Sequence, residues 1–195
     1  MQRRTVDDLP RFHPESREQW RTWLADHHDT ERGAWLVSWK QATGRPSLPY
    51  EAVIEEALCF GWVDSTAKTL DSERSMMLMT PRKPTSTWAR TNKERVDRLL
   101  AAGLMQPAGI AAVETARANG SWTVLDSVEA LELPDDLAAA LDAEPGARET
   151  YEGFSPSNRK MILWWVKSAK RPETRQRRIA ETARLAAQGI PANQR

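Results

Sequence analysis

Cysteine is nearly absent: Cys59 stands alone in 195 residues. That excludes an intrachain disulfide and a cysteine metal cluster. The three histidines, His13, His27 and His28, all precede residue 30, and none has metal-pair spacing with Cys59 or with a carboxylate motif. The chain lacks G-x-S-x-G, H-E-x-x-H and any glycine-rich dinucleotide or phosphate loop. Neither a cofactor nor a metal is implied, and no activated nucleophile is visible. No apolar run approaches the roughly 18 residues of a transmembrane helix. The opening MQRRTVDDLPRF has no apolar core of the kind a signal peptide needs, so the expected setting is a reduced cytoplasm, without membrane insertion. With a formal net charge of +1, a global field for nucleic acid is missing as well.

What the chain does have is tryptophan, nine in all, together with 40% apolar and 28% charged residues. This is the composition of a globular protein. Indoles on that scale either fill a core or line a site. Charge is unevenly spread. From residue 155 onward ten Lys and Arg face two Asp and Glu, a net of +8, which leaves −7 for the residues before it. The basic end suits an acidic partner, or it docks on the acidic remainder of the chain.

Periodicity predicts an amphipathic helix from Ser16 to His27, with Trp20, Trp23 and Leu24 on one face. Ala34 to Lys40 reads as a strand, with Trp35, Val37 and Trp39 facing one way. Tyr50 to Phe60 reads as a helix with Pro49 in its first turn and Gly61 as its stop. Trp62–Leu70 and Ser75–Thr80 read as a hairpin, and Ser86 or Thr87 is expected to cap a helix reaching Ala102. Beyond Met105 strand signals fade. Helices are predicted over 107–119, 134–143, 145–153, 155–169 and 172–188, with an irregular connector at 122–133. The fold class is therefore α+β: a small N-terminal helix/strand unit with a short antiparallel sheet over 1–104, and a C-terminal helical subdomain over 105–195. The two together could equally form one compact domain.

The chemistry concentrates between Ser47 and Val96. There, strand ends, two cations and a helix start fall within one short stretch. Arg82 and Lys83 follow a strand and precede hydroxyl residues, including Ser86, at a helix start, which is the make-up of an anion cradle. An ordinary capped basic turn has the same make-up. Asp64 shares a strand face with Trp62 and is available to Lys68 or Arg82, as a ligand-holding group or as a structural ion pair. Trp88 and Asn92 lie four apart on one helix face, with Asn92 in need of partners that a ligand or a neighbouring backbone can supply. The candidate small-ligand site is Trp62, Asp64, Lys68, Arg82, Lys83, Ser86, Trp88 and Asn92. A second candidate is a nucleic-acid face formed by Lys170, Arg171, Arg175, Arg177 and Arg178, for which a helical hairpin paired with acidic residues is the competing reading. A third makes the protein an enzyme with Asp64 as general base, which requires Asp64 in a deep pocket.

The segments EEALCFGWVDS, TPRKPTSTWARTNKERV, MQPAG and SAKRPETRQRRI, in that order, resemble the YdeI/OmpD-associated family, also described as bacteriocin-protection proteins. The resemblance runs from about residue 10 to 188. Pro49 departs from the hydroxyl cap that members tend to carry there. The resemblance implies an association with antimicrobial-peptide resistance and an outer-membrane porin, and supplies no catalytic residues. The expectation is a binding module for a small polar or anionic ligand, with an indirect role in antimicrobial or stress resistance.

Overall fold

A computed structural model describes residues 5–193. The chain divides into two compact units between Thr123 and Val124.

In the first unit, α1 (Arg17–His27) begins where the Ser16 hydroxyl accepts the Gln19 N–H, and it buries Trp20 and Leu24. The apolar alternation AWLVSW makes β2 (Ala34–Trp39). Then α2 (Tyr50–Cys59) buries Val53, Ile54, Ala57 and Leu58, with Pro49 as its N-cap residue. The hairpin follows as β3 (Trp62–Thr69) and β4 (Arg74–Pro81). Its turn is held by Asp71, whose Oδ1 accepts the N–H groups of Glu73 and Arg74. A two-residue strand, β1 (Arg11–Phe12), pairs in parallel with β2. The sheet is thus mixed, in the order β1-β2-β4-β3, rather than purely antiparallel. Two residues are too few for any period to show, so β1 was invisible in the sequence. The unit closes with α3 (Arg90–Ala101) and α4 (Pro107–Ala118). It therefore extends past the 1–104 span read from the sequence and takes in α4.

The main core of this unit packs Trp20, Leu36, Leu58, Trp62, Met79, Trp88 and Val96 together. Trp35, Val37, Met76 and Leu78 form a smaller cluster on the other face of the sheet. One buried charge sits between helices: Glu56, 2% exposed, receives hydrogen bonds from both Arg17 and Arg21. Both of its oxygens are satisfied, as a buried carboxylate requires.

Two glycines let α2, β3 and α4 meet. Gly61 has φ +72°, which turns the chain out of α2 and directly into β3. Gly109 lies against the end of α2: a Cβ there would stand 2.3 Å from the Cys59 carbonyl oxygen and 2.6 Å from that of Leu58.

The second unit is helical: α5 (Asp126–Glu129), α6 (Asp135–Ala143), α7 (Ala147–Gly153), α8 (Pro156–Lys167) and α9 (Pro172–Ala186). Ser155 caps α8 by accepting the Asn158 N–H, with Pro156 in the first turn. Leu137, Leu141, Tyr151, Ile162, Val166 and Ala183 form its core. Among the described residues, no helix is long and apolar enough to cross a membrane.

The Gly109 contact gives a direct prediction. Gly109→Ala forces backbone apart and should cost about 3 kcal/mol, in the range of overpacking and strain. Gly153→Ala, where the new Cβ meets nothing within 4 Å, should be near neutral. Urea denaturation of the two variants checks the contrast.

Candidate functional site

The end of β4 and the residues after it form the centre of the site. Arg82 leaves the sheet with its backbone N–H donated to the Gly61 carbonyl at 2.8 Å. The next residues turn at Pro84. They are held by Asn119, whose Nδ2 donates to the Pro84 carbonyl at 2.8 Å, and by the Ser121 hydroxyl on the same oxygen. The chain then runs extended to Ala89, and α3 starts only at Arg90, with no side-chain cap. The expected cap at Ser86 or Thr87 is therefore not used. Trp88 has to reach the core, where it is 1% exposed, and the extended segment delivers it there. Ser86 is half-buried, and its N–H closes a turn onto the Lys83 carbonyl.

Arg82 lies flat against Trp88, with its guanidinium carbon 3.8 Å from the ring centroid. Its Nη1 donates to the Thr87 carbonyl at 2.9 Å. Its Nε is buried without an acceptor, and so is the indole Nε1 of Trp88. Among the described residues, no carboxylate stands within ion-pair distance of Arg82. Burial pushes its pKa down to about 10, opposed only by the more distant charge of Asp64. The linkage follows in sign. The folded-state pKa lies below that of the unfolded chain, so the charged guanidinium opposes folding at neutral pH, and the penalty fades only as pH rises past about 10. A bound anion would remove it.

Trp122 packs on Trp88 at 5.0 Å, and Lys93 and Arg117 lie over its ring at 5.5 and 4.9 Å. Two indoles in tilted contact thus carry cations over both rings. Beside them opens a cavity of about 160 Å³, lined by Arg82, Lys83, Pro84, Ala111, Ala112 and Thr115. Lys83 is exposed at its mouth.

Asp64 is half-buried and accepts the hydroxyl of Tyr50 at 3.1 Å. Burial first, and then the Asp64 charge, raise the Tyr50 pKa. Asn92 accepts from Arg95 Nη1 at 2.8 Å, and Arg95 also forks onto Glu51. Trp62 is structural: it is 1% exposed and its Nε1 donates to the His28 carbonyl. Lys68 stands elsewhere. A bulge between Asp64 and Ala67 adds one residue to β3 and reverses its alternation, so Lys68 pairs with Met76 on the opposite face of the sheet. There it meets Asp7 at 2.6 Å and the Trp35 ring. Tyr50, Arg95 and Trp122 were not foreseen. Tyr50 depends on how α2 meets β3 and Arg95 on how α3 meets α2, and Trp122 sat in the stretch read as an irregular connector.

The basic residues of the second unit divide. Arg175 forks onto Asp136, Arg178 donates to the Trp165 carbonyl and the Ser168 hydroxyl, and Lys170, Arg171 and Arg177 are exposed. Also in this unit, Tyr151 Oη and Arg159 Nε are buried without an acceptor. Among the described residues there is no cluster of His, Cys, Asp or Glu suited to a metal ion.

Residues 12–112 match the model of a Domain of unknown function (DUF8412), just over half of the 195 residues, and the chain belongs to that family. Residues 130–189 match the model described as Bacteriocin-protection, YdeI or OmpD-Associated. SAKRPETRQRRI falls within this second match, whereas EEALCFGWVDS, TPRKPTSTWARTNKERV and MQPAG fall within the first. No curated protein and no solved structure matches the chain.

The site yields a prediction on stability. Arg82→Met keeps a polarizable side chain against Trp88 and removes a desolvated cation, at the loss of one hydrogen bond worth about 1 kcal/mol. Its unfolding free energy at pH 7 should stay within about 1 kcal/mol of the parent. Chemical denaturation decides the matter: a loss of several kcal/mol would make Arg82 a structural residue.

Proposed function

We propose that the first unit is a binding module for a small anion, a phosphate or carboxylate group, held by Arg82 and Lys83. One observation carries the reading: Arg82 is a largely buried guanidinium with an unspent Nε donor and no carboxylate partner, beside a cavity. Leaving such a cation uncompensated is costly, and an anion in the cavity offsets that cost. The volume of about 160 Å³ suits a single phosphate or a short carboxylate and not a nucleotide. Arg117 over the neighbouring Trp122 ring adds to the local positive potential. Trp88 backs the Arg82 guanidinium, whereas Asp64 and Asn92 are already bonded to Tyr50 and Arg95.

Catalysis has less support. Asp64 sits beside Tyr50, which is 55% exposed, and is not the desolvated base that proton abstraction favours. Nucleic-acid binding loses two of its five cations, Arg175 and Arg178, to partners in their own unit. We place the protein in the cytoplasm, a reducing setting that suits its buried free Cys59. Any part in resistance to antimicrobial agents is then indirect, through the small molecule bound.

Thermal unfolding with inorganic phosphate, sulfate, acetate and citrate tests the site. At about 100 times its Kd, a ligand that fits adds about 2.7 kcal/mol to stability. Arg82→Met should abolish that gain, and Lys83→Met should reduce it. If no anion raises the midpoint, or if the gain survives Arg82→Met, the site is not an anion pocket.

A further inference from the structure

A second cavity of the first unit has the opposite chemistry. It holds about 390 Å³ and runs along the outer side of α1. Its wall is aromatic. Phe12 of β1 stacks on Trp23 at 5.8 Å, and Trp23 stacks on His27 at 4.6 Å with an interplanar angle of 7°. Two of its polar groups are carboxylates, Glu18 and Asp26, which stand with the Thr22 hydroxyl between them in one column, each four residues from the next, beside the Gln19 amide. No Lys or Arg lines it.

Neither carboxylate is spent on a cation. Asp26 has no ion pair among the described residues. Glu18 feels the charge of Arg17, but Arg17 is committed to Glu55 and Glu56. The Glu18 carboxyl is held below its ordinary range by its own backbone N–H and the Ser16 hydroxyl, and so is ionised at neutral pH. Asp26 lies in the last turn of α1, where the helix dipole disfavours an acid and favours a cation. The His27 ring is held in place by its Nδ1, which lies 2.8 Å from the Trp23 carbonyl oxygen.

The groove is therefore an apolar aromatic trough with negative charge at both ends and no internal counterion. Glu18 and Asp26 are eight residues apart, about 12 Å along the helix. A ligand that answers this pattern carries a cationic nitrogen at each end of a methylene chain. The chain lies on the ring edges, and the ammonium groups donate to the carboxylates. We propose that this groove binds a linear organic dication of the polyamine class, independently of the anion site at Arg82.

Isothermal titration with putrescine, butylamine and ethylenediamine at low ionic strength tests the proposal. Extended putrescine sets its nitrogens about 6 Å apart, and a hydrogen bond of about 2.9 Å at each end carries its reach to about 12 Å; ethylenediamine falls short, and butylamine has the length but one charge. Putrescine should bind at least tenfold more tightly than either. Glu18→Gln and Asp26→Asn are both changes of exposed residues that leave the core intact. Each should weaken putrescine about tenfold, the scale of one charge-assisted hydrogen bond. Arg82→Met should leave putrescine binding unchanged, which separates a failure here from a failure of the anion site. Equal affinity for putrescine and ethylenediamine, affinity indifferent to both carboxamide substitutions, butylamine binding as tightly as putrescine, or no heat with any of the three would each overturn the proposal.

Discussion

The reversal at Gly61 governs where everything else in the first unit can go. Its left-handed backbone ends α2 and starts β3 with no connecting loop. Its carbonyl takes the N–H of Arg82 and so fixes the exit of β4. A Cβ on it would stand 2.9 Å from the Ala108 carbonyl oxygen of α4, and Gly109 meets the end of α2 more closely still. Backbone-to-backbone approach of this kind is open only to glycine. It sets Arg82 against Trp88 on one side and the small residues Ala111 and Ala112 of α4 on the other, and the cavity lies between them. The site is a consequence of how three elements meet, not of any one motif.

The unit treats its buried charges in two ways. Around Glu56 the account is closed: two arginines satisfy both oxygens, and Arg21 also reaches the Leu104 carbonyl. Such a network holds α1 to α2 and leaves neither carboxylate oxygen without a donor. Around Arg82 the account stays open, with a desolvated cation, an orphaned Nε and an orphaned indole N–H. Structural arginines are ordinarily supplied with carboxylates, and Arg95 on Glu51 is the nearby example. On the proposed reading, the difference between the two arrangements separates a latch from a binding site. The α1 groove and the Arg82 cavity are then proposed for ligands of opposite charge.

Much of the fold was legible because its period is clean. Trp20 and Leu24 announced α1, the alternation around Trp35 announced β2, and Ser155-Pro156 marked the start of α8. What stayed hidden was set by tertiary context. The β3 bulge, which no residue type signals, reversed the face of Lys68 and removed it from the candidate cluster around Asp64. The demand of the core for Trp88 overrode Ser86 and Thr87 as caps and moved the start of α3 to Arg90. Arg82, Lys83 and Trp88 were visible as a group because they are close in sequence. Tyr50 and Arg95 were not, because they join the group only through the packing of α2 against β3 and of α3 against α2.

The central claim is that Arg82 is a cation waiting for an anion rather than a piece of the core. An anomalous-scattering map from a crystal grown in selenate tests it most directly. The account predicts a selenium peak in the cavity between Arg82 and Lys83, within hydrogen-bond distance of the guanidinium. A map with no peak there, and with Arg82 Nε bonded to a protein acceptor or an ordered water, would contradict it.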